Sequence, residues 1–202
     1  MQHWNALRGR LIAIEGIDQA GKETVSRLLG ATLTSAGLRV ERVEFPDYTT
    51  PIGREIGRFL EGNHQLTTEV RQLLYVANRW ERKEYLEELL AEGSTILVDR
   101  YTGSGLAYGY AQGLSMEWME ALEVGLPKAD LVILLDILPE VSMARKTRAR
   151  DAYEQQSQLL VRARDAYIML AERDHWAVVD AATGPHEVWQ AVEDVLRERF
   201  PE

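Results

Sequence analysis

The stretch that decides the fold is Arg10–Thr24, RLIAIEGIDQAGKET. It opens with an apolar run, Leu11-Ile12-Ala13-Ile14, short and β-branched enough to be a strand buried on both faces. The run stops at Gly16, and a G-x-x-x-x-G-K pattern follows, with Gly16, Gly21 and Lys22 in place. Beyond it, Val25, Leu28 and Leu29 recur at helical spacing. Strand, glycine loop and helix in that order are the setting of a polyphosphate-binding loop. Gly16 and Gly21 reach φ values that other residues resist, so the N–H groups of the loop turn inward. The helix N-terminus adds partial positive charge and Lys22 a full one. A chance glycine turn ahead of a helix is the rival reading, and the flanking strand and helix count against it. The expected nucleotide-binding residues are Gly16, Ile17, Asp18, Gln19, Ala20, Gly21, Lys22, Glu23 and Thr24. One departure stands out. The motif wants Ser or Thr after the lysine to hold Mg²⁺, but Glu23 sits there and Thr24 comes one position late.

Composition sets the bounds. A chain of 202 residues, 46% hydrophobic and 27% charged, fits one soluble α/β domain with a substantial core. With no cysteine there is neither a disulfide nor a thiolate metal site. The apolar runs are too short to span a membrane, and MQHWNALRGR lacks the apolar centre of a signal peptide, so a cytoplasmic protein is expected. A net charge of −9 argues against a nucleic-acid-binding surface. A phosphate site on so acidic a chain needs its positive charge concentrated locally.

The rest of the chain alternates in the same way. Residues 38–45 (LRVERVEF), 94–99 (STILVD), 130–136 (DLVILLD) and 176–180 (WAVVD) read as four further strands. Between them lie helical patterns: a short one from 52 ending near Gly62, a long one over 67–91, one opening near Ser104, one from Pro139, one over 153–173 and a last over 185–199. Strands alternating with helices predict a doubly wound parallel sheet of about five strands with helices on both faces, of the P-loop NTPase type. The domain is expected to be single, with a short N-terminal extension (1–9) and a lid near 145–155. On the long helix, Val70, Leu73, Leu74, Ala77 and Trp80 are expected to face the core. Tyr75, Asn78, Arg79 and Arg82 fall on the other side, where an aromatic beside two guanidiniums suits a base and a phosphate; a solvated polar face has the same pattern. Asp99-Arg100-Tyr101 stands at the carboxyl end of a strand, where α/β sheets bind ligands. Tyr108 is placed to border such a ligand. Arg145, Lys146, Arg148 and Arg150 make a local basic cluster that also reads as a solvated helix end. His3, His64, His175 and His186 are scattered and form no ligand set.

Several motifs together resemble the thymidylate (dTMP) kinase family. They are EGIDQAGK at 15–22, FPDY at 45–48, LLYVANRWE at 73–81, VDRYTGSGLAY at 98–108 and AYE at 152–154, so the similarity runs from about Arg10 to Leu196. The second and third long stretches are far more specific than the glycine loop. The resemblance implies transfer of the γ-phosphoryl group of ATP to dTMP, with Mg²⁺, in a homodimer, for which the apolar helix faces at 67–91 and 153–173 are candidate surfaces. It implies that Lys22 and the loop amides hold ATP and that Asp18 lies near the acceptor phosphate. Tyr75 would stack on thymine, Arg79 reach the base edge and the phosphate region, and Arg100 sit between the two phosphates. Tyr108 would lie under the deoxyribose, with Phe45, Tyr48, Ser104 and Gly105 completing the acceptor site. Tyr48 stands where many members carry an arginine. Gln19 and Ala20 leave the glycine loop without one, so Arg148 or Arg150 of the lid is the expected transition-state arginine, Ala152 replacing the frequent lid arginine. Gly109 replaces a small polar residue. With Glu23 in the hydroxyl's place, Asp18 and Asp99 are the candidates for holding Mg²⁺. Two other readings remain at this point: a kinase for another acceptor, such as dUMP or a nucleoside, and a nucleotide-binding protein without turnover.

Overall fold

Each apolar run becomes a strand: β1 (Leu11–Glu15), β2 (Val40–Glu44), β3 (Thr95–Asp99), β4 (Leu131–Asp136) and β5 (Ala177–Asp180). The computed structural model describes residues 4–62, 65–145 and 153–201. The five strands form one sheet in the order β2-β3-β1-β4-β5, and every pairing is parallel. Burial on both faces explains the unbroken apolar runs of the central strands β1, β3 and β4, whereas the edge strands β2 (VERVE) and β5 are only partly buried. Ile12, Ile14 and Leu97 enter one core cluster, while Leu11, Ala13, Ile96 and Val98 enter the other, on the opposite face. Chain order reverses at β1, so β1 and its neighbours open a crevice at their carboxyl ends. All five strands end on a carboxylate there: Glu15, Glu44, Asp99, Asp136 and Asp180.

The helices are α1 (Lys22–Ser35), α2 (Pro51–Leu60), α3 (Thr68–Glu81), α4 (Lys83–Ala91), α5 (Thr102–Ala111), α6 (Met116–Glu123), α7 (Pro139–Arg145), α8 (Tyr153–Asp174) and α9 (Pro185–Arg199). Their starts follow from local chemistry. Thr50 caps α2 through Gly53 N–H with Pro51 in the first turn, and Thr67 caps α3 through Val70 N–H. α1 has no side-chain cap: Gly21, at φ +97°, leads directly into it and leaves its first N–H groups facing the loop.

Four expectations change. The long helix over 67–91 breaks at Arg82 into α3 and α4. Arg82 (φ −99°, ψ −1°) joins them with its N–H on Arg79 C=O, and its Nε lies 2.5 Å from Asp47 Oδ2. The face of α3 expected to be core is its outer one: Val70, Leu73 and Trp80 are 41, 44 and 40% exposed, whereas Gln72, Val76, Asn78 and Arg79 are buried. Burial of Asn78 and Arg79 in that stripe is tolerable because both have partners: Asn78 bonds Asp47, Thr50 and Glu81, and Arg79 bonds Glu123. The N-terminal segment is no mere extension, since Trp4 and Leu7 are buried in the main core and Leu7 C=O accepts from Thr95 Oγ1 at 2.8 Å. Finally, α6 had no forecast. On α8, the periodic apolar residues Leu160, Ala163, Ala166, Tyr167 and Leu170 are buried, with Leu159 only partly so, and the helix packs along α5. That face is therefore spent inside the monomer and is not free to form a dimer.

Candidate active site

The glycine loop closes over the carboxyl end of β1. Gly16 has φ +139°, and a Cβ there would sit 2.5 Å from Leu135 C=O, so only glycine fits. Lys22 is buried, and its Nζ donates to Gly16 C=O at 3.1 Å and Ile17 C=O at 2.9 Å. Burial, reinforced by the nearby Arg100 charge, lowers Lys22 from its usual 10.5 to about 8, with Asp99, Asp18 and Glu15 opposing. An arriving phosphate offsets that cost. The loop from Asp18 to Thr24 borders a cavity of about 770 Å³, whose far wall is Ala181, Thr183, Pro185 and Val188 from the β5–α9 junction. Arg145, at the end of α7, donates to Gln19 C=O at 3.1 Å and Ala181 C=O at 3.0 Å, and so ties the two walls together.

Arg100 follows β3 with φ +64°, a left-handed conformation that a non-glycine residue adopts at a cost. That turn carries the side chain back across the loop. Its guanidinium pairs with Asp18 at 2.5 Å, reaches Gly16 C=O and Ser104 Oγ at 3.4 Å, and lies over the Tyr108 ring. Behind it sits Glu15, fully buried. Its carboxylate accepts Tyr101 N–H at 2.9 Å, Ser104 N–H at 3.1 Å, Ser104 Oγ at 2.6 Å and the Tyr167 hydroxyl at 3.3 Å. A carboxylate with so many donors at the start of α5 holds the Arg100–Ser104 turn in one shape.

A second cavity, about 500 Å³, lies under α5 between α2, α3 and α8. Tyr75, Arg79, Ser104, Gly105 and Tyr108 line it. The two cavities share Asp18, Phe45, Pro46, Tyr48 and Arg100. The loop carrying Phe45, Pro46 and Tyr48 is anchored from behind: Asp47 accepts from Thr49 and Arg82, and its N–H donates to Asn78 Oδ1 at 2.8 Å. Burial raises Tyr48, Tyr75 and, to about 12, Tyr108, so all three remain hydroxyl donors at neutral pH. Two cavities of nucleotide size that meet over one arginine–aspartate pair can bring a phosphoryl donor and an acceptor end to end.

The thymidylate kinase family model matches residues 14–192. The chain belongs to the thymidylate kinase family. The human thymidylate kinase is 35% identical over 199 residues, covering 95% of this chain and 93% of that one. The Danio rerio enzyme is 38% identical over 190 residues, covering 93% and 90%. The solved thymidylate kinase of Candida albicans superposes with a TM-score of 0.81 at 29% identity, over 95% of this chain and 92% of that chain.

Most residues singled out from the family resemblance converge here. Asp18, Gln19, Ala20, Gly21, Lys22, Glu23, Thr24 and Asp99 border the first cavity. Gly16 and Ile17 contribute backbone only, with Ile17 buried in the core. Glu23 is exposed on the first turn of α1. Arg148 and Arg150 lie outside the described residues. The polar set on α3 divides. Tyr75 and Arg79 face the second cavity, whereas Asn78 and Arg82 brace the 45–48 loop from behind. Arg79 is also more constrained than expected: Nε and one Nη are held by Glu123, leaving the rest of its fork for the cavity. Gly109 makes room for Met119, whose Sδ would collide with any Cβ there. Arg145 was legible only as a member of the basic cluster, and Glu15, Tyr167, Ser142 (Oγ to Asp18 C=O, 2.7 Å) and Gln72 were not singled out for the site. Of these four only Glu15 carried a signal, a charge at the end of a strand otherwise apolar on both faces.

Proposed function

We infer that this chain is a dTMP kinase, catalysing ATP + dTMP → ADP + dTDP. The observation that carries the reading is the meeting of the loop cavity and the aromatic-walled cavity at Asp18 and Arg100 in a thymidylate kinase family member. ATP lies in the first, its phosphates on the loop amides and Lys22, its base toward Thr183 and Pro185. The acceptor lies in the second, with thymine against Tyr75 and the deoxyribose against Tyr108. Phosphoryl transfer asks for in-line positioning and neutralisation of charge more than for covalent chemistry. Arg100 stands where donor and acceptor phosphates meet, Asp18 holds its fork in place, and the Tyr48 hydroxyl donates to the acceptor phosphate. Arg148 or Arg150, outside the described residues, would supply the further positive charge that the transferring phosphoryl group needs.

Among the described residues no group of three or more His, Cys, Asp or Glu is arranged to hold a metal. The oxygen donors Asp18, Asp99 and Thr24 nonetheless suit a hard divalent ion shared with the nucleotide phosphates. Burial raises Asp99, a cost that a neighbouring cation relieves. Asp99 and Asp18 would hold Mg²⁺, which when bound supplies neutralising charge to the phosphates.

The outward apolar stripe of α3 (Val70, Leu73 and Trp80), continued by Val124, supports a homodimer through this face. Leu73→Asp should shift the mass in light scattering to that of a monomer; an unchanged mass removes the face from consideration. Among the described residues no helix is long and apolar enough to cross a membrane. The test of function is a coupled ADP-release assay across nucleoside monophosphates. The expected order places dTMP ahead of dCMP, dGMP and the ribose analogue of dTMP. Equal rates with dCMP would sink the assignment, and absence of turnover with any acceptor would leave a binding protein.

A further inference from the structure

We propose that the carboxamide of Gln72 reads the hydrogen-bonding edge of the acceptor base, Oε1 accepting the ring N3–H and Nε2 donating to an adjoining carbonyl. The proposal rests on the assignment of the second cavity as the acceptor site. Gln72 is only 4% exposed, yet it lines that cavity, on the same face of α3 as Tyr75 and Arg79 three and seven residues on. Its Nε2 has no hydrogen-bond partner. Among the described residues just one other buried side-chain polar atom is in that position, Nε of Arg71, the adjacent residue, which lines the same cavity. Buried polar atoms are nearly always bonded, because an orphan forfeits its hydration without return. Two orphans side by side on one cavity wall mark a place where the partner comes from outside the chain.

The surroundings of the amide are shaped for this. A Cβ on Gly105 would lie 3.2 Å from Gln72 Nε2 and 2.8 Å from Arg79 Nη2. A Cβ on Gly109 would lie 3.3 Å from Gln72 Oε1. Both ends of the carboxamide therefore rest against glycines one turn apart on α5, and the missing side chains leave the amide and the Arg79 fork converging on one spot. Thymine presents N3–H between two carbonyls, and a carboxamide presents an acceptor beside a donor, so the two match in pairs. The amide alone would also match cytosine after turning over. Arg79 prevents that, because a guanidinium only donates: it accommodates a carbonyl and opposes an exocyclic amino group. The Arg71 guanidinium, stacked over Phe59 at 5.6 Å, adds a second group that only donates. Gln72 and Arg79 together thus select a ring with N–H beside C=O.

The experiment compares dTMP with N3-methyl-dTMP, which cannot donate from N3, in the wild-type enzyme and in Gln72→Leu and Gln72→Glu. For Gln72→Leu, kcat/KM for dTMP is expected to fall by ~10- to 100-fold, the effect of losing hydrogen bonds to a buried partner, mainly through KM and with KM for ATP unchanged. The wild-type preference for dTMP over the N3-methyl analogue should collapse toward parity. Gln72→Glu keeps an acceptor for N3–H and should retain that preference with part of the loss in kcat/KM. An unchanged dTMP to N3-methyl-dTMP ratio in Gln72→Leu overturns the proposal, since a residue that merely packs would not move it. If the variants do not fold, the wild-type protein decides: its Gln72 side-chain amide resonances should shift on saturation with dTMP, and an unmoved signal overturns the idea. Tyr75→Ala separates the two levels. If it leaves KM for dTMP unchanged, the acceptor-site assignment itself fails; if it raises KM while Gln72→Leu does not alter the ratio, only the role of Gln72 fails.

Discussion

The two cavities are built in opposite ways. The loop cavity takes most of one wall from a single stretch, residues 18–24, and in the proposed function it binds largely through backbone amides and one lysine. The second cavity, the proposed acceptor site, is assembled from the 45–48 loop, α2, α3, α5 and α8, and would work through side chains. Where backbone does the binding, the conformational requirement falls on glycines at set spacing, and a substitution such as Glu23 in place of a hydroxyl leaves the cradle standing. Where side chains do it, each must be braced: Arg79 by Glu123, Asp47 by Arg82 and Asn78, Ser104 by Glu15. Arg100 and Asp18 belong to both halves, and damage there should cost most.

Arg100→Ala is the sharpest test of that joint. It should lower kcat by on the order of a hundredfold or more with a smaller change in ATP KM. A rise in ATP KM alone would assign Arg100 to the donor half only. Glu15→Gln probes the brace behind it. An amide NH₂ would face the donors that the carboxylate now accepts, so stability in urea unfolding should drop by about 1–3 kcal/mol, with kcat falling as the Arg100–Ser104 turn loosens. Unchanged stability and kcat would mean that the turn holds itself.

Tyr75→Ala tests the separateness of the halves. KM for dTMP should rise ~10-fold or more, as expected for loss of base stacking, while KM for ATP stays put; parallel changes in both would show the cavities to be one coupled unit. Lys22 gives a pH test confined to the donor half. Its lowered value of about 8 means that the free enzyme loses the ammonium as pH rises through that point. ATP binding near pH 8 should therefore take up protons, measurable by calorimetry in buffers of different ionisation heat, and ATP affinity should decline above it. Between about 8 and 10.5 the unfolded chain holds the proton that the folded chain has lost, so the Lys22 contribution to stability rises with pH across that window. Lys22→Met should abolish the proton uptake. The smallest effect is expected for Glu23→Ser, which should retain activity and modestly lower the Mg²⁺ required. Loss of turnover, or a higher requirement, would make Glu23 a working ligand.

The sequence by itself determined the parallel α/β order, the glycine loop, and most positions that gather around the two cavities. The reason is that apolar runs, glycine spacing and family motifs are properties of short segments. It misjudged α3, because helical periodicity separates two faces without saying which of them turns inward. Only the fold decided that, by supplying Asp47, Thr50, Glu81 and Glu123 as partners for the polar side and leaving Leu73 and Trp80 outside. The break at Arg82, whose side chain meets Asp47 35 positions earlier in the chain, was not legible either. The role of Gln72 was likewise illegible, and those of Glu15 and Tyr167 were legible only as a strand-end charge and a core position, since a buried polar side chain takes its meaning from partners, present or missing, on elements far away in sequence. Local geometry is written locally; which polar groups are buried together is a matter of packing.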